Sequence, residues 1–153
     1  MKKVFILFSL IVCFNSMYAQ LMSKMVIKTP IEGICNDKEV YVLFPSIDTG
    51  QVKAVCPVPE SEILNKLNSK VSFLRENKKF KGEGIVKVII NCKGEVVLCE
   101  VSKKSKSNKL DDQIVEVFNN LGEWKNAFYK KRAVDNVQLF YFKVKKGKIS
   151  WKY

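Results

Sequence analysis

Apolar positions fall into distinct spacings along the chain, and each spacing predicts a different element. Ile63, Leu67, Val71 and Leu74 recur at helical intervals after Glu60-Ser61-Glu62. Ser61 is the expected cap, and the glutamates suit the positive end of the helix dipole. Asn77, Lys78 and Lys79 mark the end of this helix, and Phe80 turns back onto the core. Leu110, Ile114, Val117, Phe118 and Leu121 form a second such stripe. Asn108 stands as its cap, Asp111 and Asp112 lie in its first turn, and Gly122 stops it.

Two runs between these helices alternate as strands do. Ile85 to Asn91 places Val86, Val88 and Ile90 on one face, and Glu95 to Ser102 returns after Cys92-Lys93-Gly94. Gly94 suits the left-handed position of a type I turn with a bulge. Val97, Cys99 and Val101 share a face while Val96 is out of phase, which predicts a bulge in the returning strand. A last strand runs from Val134 to Val144, and Ile149 to Tyr153 adds a short piece after Lys145-Lys-Gly-Lys148. Upstream, Val40 to Phe44 and Val52 to Val55 flank a turn at Asp48-Thr49-Gly50 and predict an N-terminal β-hairpin. The order from residue 61 is helix, strand, strand, helix, strand. The expected fold is α+β, a small antiparallel sheet with two helices on one face, plus the N-terminal hairpin extension.

The first residues have another pattern. Lys2 and Lys3 precede an apolar run from Val4 to Phe14 that is too short to span a bilayer easily, and Ala19 offers a cleavage point. Residues 1–19 read as a signal peptide, with an uncleaved anchor and lipid attachment at Cys13 as the alternatives. Residues 20–60 form the extension, and 61–153 the main domain. The expected location is periplasmic or secreted, with no membrane span in the mature chain. An exported chain can form disulfides.

Composition narrows the chemistry. Apolar residues make up 47% of the 153, which excludes wholesale disorder. There is no histidine, so no Ser-His or Cys-His pair and no imidazole base or metal ligand exists. Of the cysteines beyond the leader, Cys35 and Cys56 flank the predicted hairpin. A bond between them would close its base and stabilise by about 3 kcal/mol. Cys92 and Cys99 do not face one another in a simple hairpin register. A zinc site made of Cys35, Cys56, Cys92 and Cys99 lacks the close C-x2-4-C spacing. Asp111-Asp112 is explained by its place at a helix start better than as an acid/base pair. Gly82-x-Gly84 reads as a linker rather than a phosphate loop. No catalytic, cofactor-binding or metal residue is assigned.

The formal charge is +12, and the leader lysines account for 2 of it. Lys103, Lys104, Lys106 and Lys109 form one basic loop; Lys125, Lys130, Lys131 and Arg132 form a second. A solvated surface explains them, as does contact with an anionic polymer or an acidic partner if all lie on one face. An exported chain argues against nucleic acid as the partner.

From Phe73 to Trp151 the chain resembles the TonB C-terminal domain family. The features follow in the family's order: Phe73-Leu74 with Asn77 and Phe80, the hairpin from Gly84 to Val96 through Lys93-Gly94, Leu110-Asp111 opening the second helix, and Leu121-Gly-Glu-Trp124-Lys125 after it. Arg132-Ala-Val134 and the aromatic strand beyond complete the likeness. A proline-rich spacer and a membrane anchor are not recognisable, so the resemblance is to the receptor-facing domain alone. It implies a noncatalytic module that binds an extended segment of an envelope or outer-membrane receptor protein by strand addition. The matching strand is the last one, with Val137, Leu139, Tyr141 and Lys143 as the partner-binding residues.

Overall fold

The computed structural model describes residues 23–152. The leader expected over residues 1–19, with Cys13, lies outside the described residues. In chain order the elements are β1 (Ser23–Val26), β2 (Glu39–Val42), β3 (Gln51–Val52), α1 (Glu60–Lys70), α2 (Ser72–Glu76), β4 (Gly82–Ile90), β5 (Val96–Lys103), α3 (Asn108–Asn119), β6 (Ala127–Tyr129), β7 (Arg132–Val134), β8 (Asn136–Lys145) and β9 (Lys148–Trp151). The architecture is α+β, and the main sheet is mostly antiparallel.

That sheet has six strands in the order β1-β2-β8-β4-β5, with β9 also beside β8. Only the β2–β8 pairing is parallel. The helices cover one face. Ile63, Leu67, Val71 and Leu74 are all 1% exposed, and they meet Leu110, Ile114 and Phe118 over Val86, Val88, Ile90, Phe142 and Val144. Both apolar stripes read from the sequence are therefore the buried stripes. The other face is covered at one end only. Val40 from β2 packs there on Ile89 and Val137, with Met25, Ile27, Ile31 and Ile34 around them. Ile89 lies on the side of β4 opposite to Val88 and Ile90, so β4 is buried on both faces at this end.

The N-terminal strands depart from the expected hairpin. β2 pairs with β1 and β8, whereas β3 pairs with β6 in a separate three-stranded sheet, β3-β6-β7. The Gln51 side chain explains the divergence. Its Oε1 accepts from the Phe44 amide at 2.7 Å, and its Nε2 donates to Asp48, so a buried amide fills the space where a ladder would run. The extension is thus woven into the fold on both sheets.

The first helix differs too. Its cap position is Pro59, with no side-chain bond from Ser61. It breaks at Val71, which is extended, and restarts as α2. Gln113 of α3 compensates: its Oε1 accepts from the Phe73 amide at 3.0 Å, and its Nε2 donates to Ser72 Oγ at 2.8 Å. A bond across the core replaces the helical bond lost at the break. In α3 the cap is Ser107 rather than Asn108, and its Oγ accepts from the Leu110 amide.

The β4–β5 hairpin has the expected turn and a bulge, but Val96 rather than Val97 shares the face of Cys99 and Val101. Gly94 has φ +94°, its amide donates to the Asn91 carbonyl, and Asn91 donates to the Glu95 carbonyl. A side chain at Gly94 would overlap the Trp124 carbonyl oxygen. The ladder shifts between Ile89 and Ile90, where Ile90 faces Val96 and Ile89 faces Leu98, leaving Val97 as the bulge residue. The bulge returns Val96 to the core face with Cys99 and Val101 and turns Val97 to the other side. Gly82 and Gly84 are not a linker. They begin β4, and a Cβ at Gly84 would lie 2.5 Å from the Phe142 ring and 2.7 Å from the Lys103 carbonyl.

Candidate functional site

The residues nominated as a binding edge lie on an interior strand that is paired on both sides only near its two ends. β8 pairs with β4 along nine positions on one side. On its other side β2 meets it at Asn136, and β9 meets it from Phe142 to Lys145. The Lys152 amide extends that second pairing to the Tyr141 carbonyl. Val137 is buried beneath the N-terminal segment. Leu139, Tyr141 and Lys143 project from the uncovered half of the sheet, with Leu139 44% and Tyr141 45% exposed. Tyr141 and Ile85 floor an open concavity of about 490 Å³ there, rimmed by Glu83, Lys103 and Lys152. Glu83 bridges both lysines, at 2.5 and 2.8 Å, and these ammonium groups hold its carboxyl down to about 2.

The outer strands of this sheet are β1, β9 and β5. β5 pairs with β4 only. The Asn91–Glu95 bond sets the phase of the hairpin, so Lys87 and Glu100 are a hydrogen-bonded pair. Their neighbours Cys99 and Val101 consequently turn their N–H and C=O groups away from β4. No backbone partner for these groups occurs among the described residues. A second ladder shift between Ile85 and Val86 bounds the regular stretch, which runs from Leu98 to Val101. On the helix side this edge lies under α3, which packs on β5. Lys109 and Gln113 face α2, so helical spacing puts Val115 and Asn119 on the opposite flank, above the open edge.

The cysteines also pair differently from the expectation. The disulfide joins Cys35 to Cys92, with Cα atoms 6.0 Å apart, while Cys56 and Cys99 are free thiols. Loss of the hairpin removes the reason for Cys35 to approach Cys56. Instead the loop before β2 reaches the β4–β5 turn, and Asp135 holds it there. The buried Asp135 carboxylate accepts from the amides of Cys35 at 3.2 Å, Asn36 at 2.7 Å and Cys92 at 2.9 Å. Asn91 adds a bond to the Gly33 carbonyl. Although Cys35, Cys92 and Asp135 cluster within metal-ligand range, the sulfurs are consumed by their bond and the carboxylate by amides. Burial pushes the Cys99 thiol up to about 12 and raises that of Cys56 in the same direction. Neither is an activated nucleophile.

Asp111 and Asp112 separate as well. Asp111 is buried and accepts from the Ser105 amide, whereas Asp112 is exposed. The two basic loops lie at opposite ends of α3. Lys103 to Lys109 lie before α3 and Lys125 to Arg132 after it, about 18 Å apart along a helix of 12 residues. Lys103 and Lys109 are moreover ion-paired, with Glu83 and Glu76.

No protein-family model matches the chain, and neither the curated proteins nor the solved structures hold a significant match. Among the described residues no helix is long and apolar enough to cross a membrane.

Sequence reasoning missed β5 as an outer strand and Asp135 as the anchor of the disulfide. The signal for Asp135 was present: a carboxylate between two strand-like runs, Arg132–Val134 and the aromatic strand, marks a chain that changes sheets at that point.

Proposed function

We propose that this chain is an exported, noncatalytic interaction module of the bacterial cell envelope. It binds an extended segment of an envelope or outer-membrane protein by strand addition, as its resemblance to the receptor-binding domain of TonB energy transducers implies. The binding strand is β5 rather than the last strand. The observation that carries this reading is the outward row of backbone groups at Cys99 and Val101, without backbone partners among the described residues. The regular stretch between the two bulges fits a short segment of about four residues. The disulfide agrees with an oxidising compartment.

Amide hydrogen exchange tests it. Protein captured from envelope extract at low and at high salt is compared with the free chain. The amides of Cys99 and Val101 exchange quickly when free and at least tenfold more slowly in the complex, roughly, if a strand covers them. Capture that protects other surfaces and leaves β5 unchanged refutes the proposal, as does loss of every partner at high salt.

A further inference from the structure

The small sheet presents a second surface, independent of the β5 edge. In β3-β6-β7 the register places Val52 opposite Phe128 and Phe128 opposite Ala133, so these three share one face. The alternate row is Gln51, Tyr129 and Arg132: Gln51 is buried, and the Tyr129 ring lies 5.5 Å from that of Tyr41. The outward row of a half-buried sheet is ordinarily polar. Here it is apolar and uncovered, with Val52 49% and Phe128 36% exposed. Val55, opposite Lys125 further along the same direction, is 52% exposed.

Cations flank this row in sequence, with Arg132 in the alternate row. Residues 49–59 and 124–134 contain Lys53, Lys125, Lys130, Lys131 and Arg132 and no carboxylate. Asp48 and Asp135, which precede β3 and follow β7, are held by backbone amides. Six lysines elsewhere are ion-paired, from Lys24 in β1 to Lys152 after β9. Lys53, Lys125, Lys131 and Arg132 have no such partner among the described residues. The tip between β6 and β7 carries a backbone signature as well. Lys130 and Lys131 both have positive φ, 48° and 65°, in a turn that ordinarily takes asparagine and glycine. At this turn the Lys130 ammonium lies over the Tyr129 ring, 5.4 Å from its centroid, while Lys131 is exposed.

We propose that the Val52–Phe128 face and the cations that flank it form a docking surface for an anionic phospholipid bilayer. A soluble polyanion satisfies lysines and arginine equally well, but it gives Val52 and Phe128 nothing. An interface with charged headgroups above an apolar interior rewards both sets of side chains. The aromatic ring and the valines enter the headgroup boundary while the cations meet the phosphates.

Co-sedimentation with vesicles tests this. The probes are phosphatidylcholine vesicles and vesicles in which roughly a third of the lipid is phosphatidylglycerol. The chain binds the anionic vesicles at least about tenfold more strongly, and added salt weakens binding. Lys125→Glu with Lys131→Glu removes about tenfold or more of that affinity. Val52→Ser with Phe128→Ser weakens vesicle binding by about tenfold yet leaves retention on a heparin column unchanged. All four positions are exposed, and an unchanged melting temperature verifies the fold of each variant. Equal binding to neutral vesicles, or no vesicle binding, overturns the proposal. If the serine variant sediments like the unaltered chain, the surface serves a polyanion and the bilayer assignment is wrong.

Discussion

Removing the disulfide measures how far the N-terminal segment is held by the covalent link and how far by Asp135. The bond closes a loop of 57 residues. In the chain-entropy treatment, excluding the open forms of such a loop from the unfolded ensemble stabilises the fold by about 4 kcal/mol. Cys35→Ala with Cys92→Ala should therefore lower unfolding free energy by roughly that amount in urea. The melting temperature should fall by roughly 10–15 °C for a domain of this size. The variant should still fold, because the amides of residues 35, 36 and 92 keep the Asp135 carboxylate as acceptor. Cys56→Ala is the control, since the sequence alone favours a Cys35–Cys56 bond. It should cost only what a half-buried thiol loses in packing, about 1 kcal/mol. Without reductant, a maleimide in denaturant should label Cys56 and Cys99 and leave Cys35 and Cys92 unmodified. Labelling at Cys92, or a loss from Cys56→Ala as large as that from the double variant, would refute the pairing and the loop path built on it.

Two further perturbations probe the uncovered half of the sheet. Glu83 has a folded carboxyl held near 2, below its ordinary 4.5, so its contribution is present above the unfolded value and disappears as pH falls through the folded one. The stability gap between the unaltered chain and Glu83→Gln should be constant above about pH 5, narrow between 4.5 and 2, and shrink with salt; a gap that persists at pH 2 sinks the assignment. Gly84→Ala forces a methyl group onto the Phe142 ring and the Lys103 carbonyl, and it should destabilise by about 1–3 kcal/mol in chemical denaturation. An alanine variant as stable as the parent would mean that β4 does not approach β8 and β5 in this way.

What the sequence made legible was local. Helical spacing named the buried faces of α1 and α3, and Gly94 with the phase break named the turn and the presence of a bulge, though the bulge residue is Val97 and Val96 lies on the core face. These features depend on neighbours within about a dozen residues. The break at Val71 was not legible because its compensation comes from Gln113, on a different helix. The N-terminal strands misled for a similar reason. Proximity in sequence suggested that Val40–Phe44 and Val52–Val55 pair with each other, whereas tertiary partners Asn136 and Phe128 take them into separate sheets. The disulfide followed the same error, since its expected partners were chosen by the hairpin.

The misplaced edge has a more general cause. Alternation of exposed and buried residues in β8, from Gln138 to Lys145, looks like that of a strand at a margin. Alternation reports only whether a face is covered, and the face beyond Leu139 and Tyr141 is open because the N-terminal segment stops short of it. Whether a strand has a neighbour on each side is a property of the backbone direction, perpendicular to the one that side chains record. A margin signal does occur in β5. Two ladder shifts in eight residues, with Glu100 and Lys103 on the outer strand, are the devices by which edges avoid unwanted pairing. A strand so guarded would accept a partner only over the regular stretch from Leu98 to Val101. That restriction would give a short binding segment a fixed register.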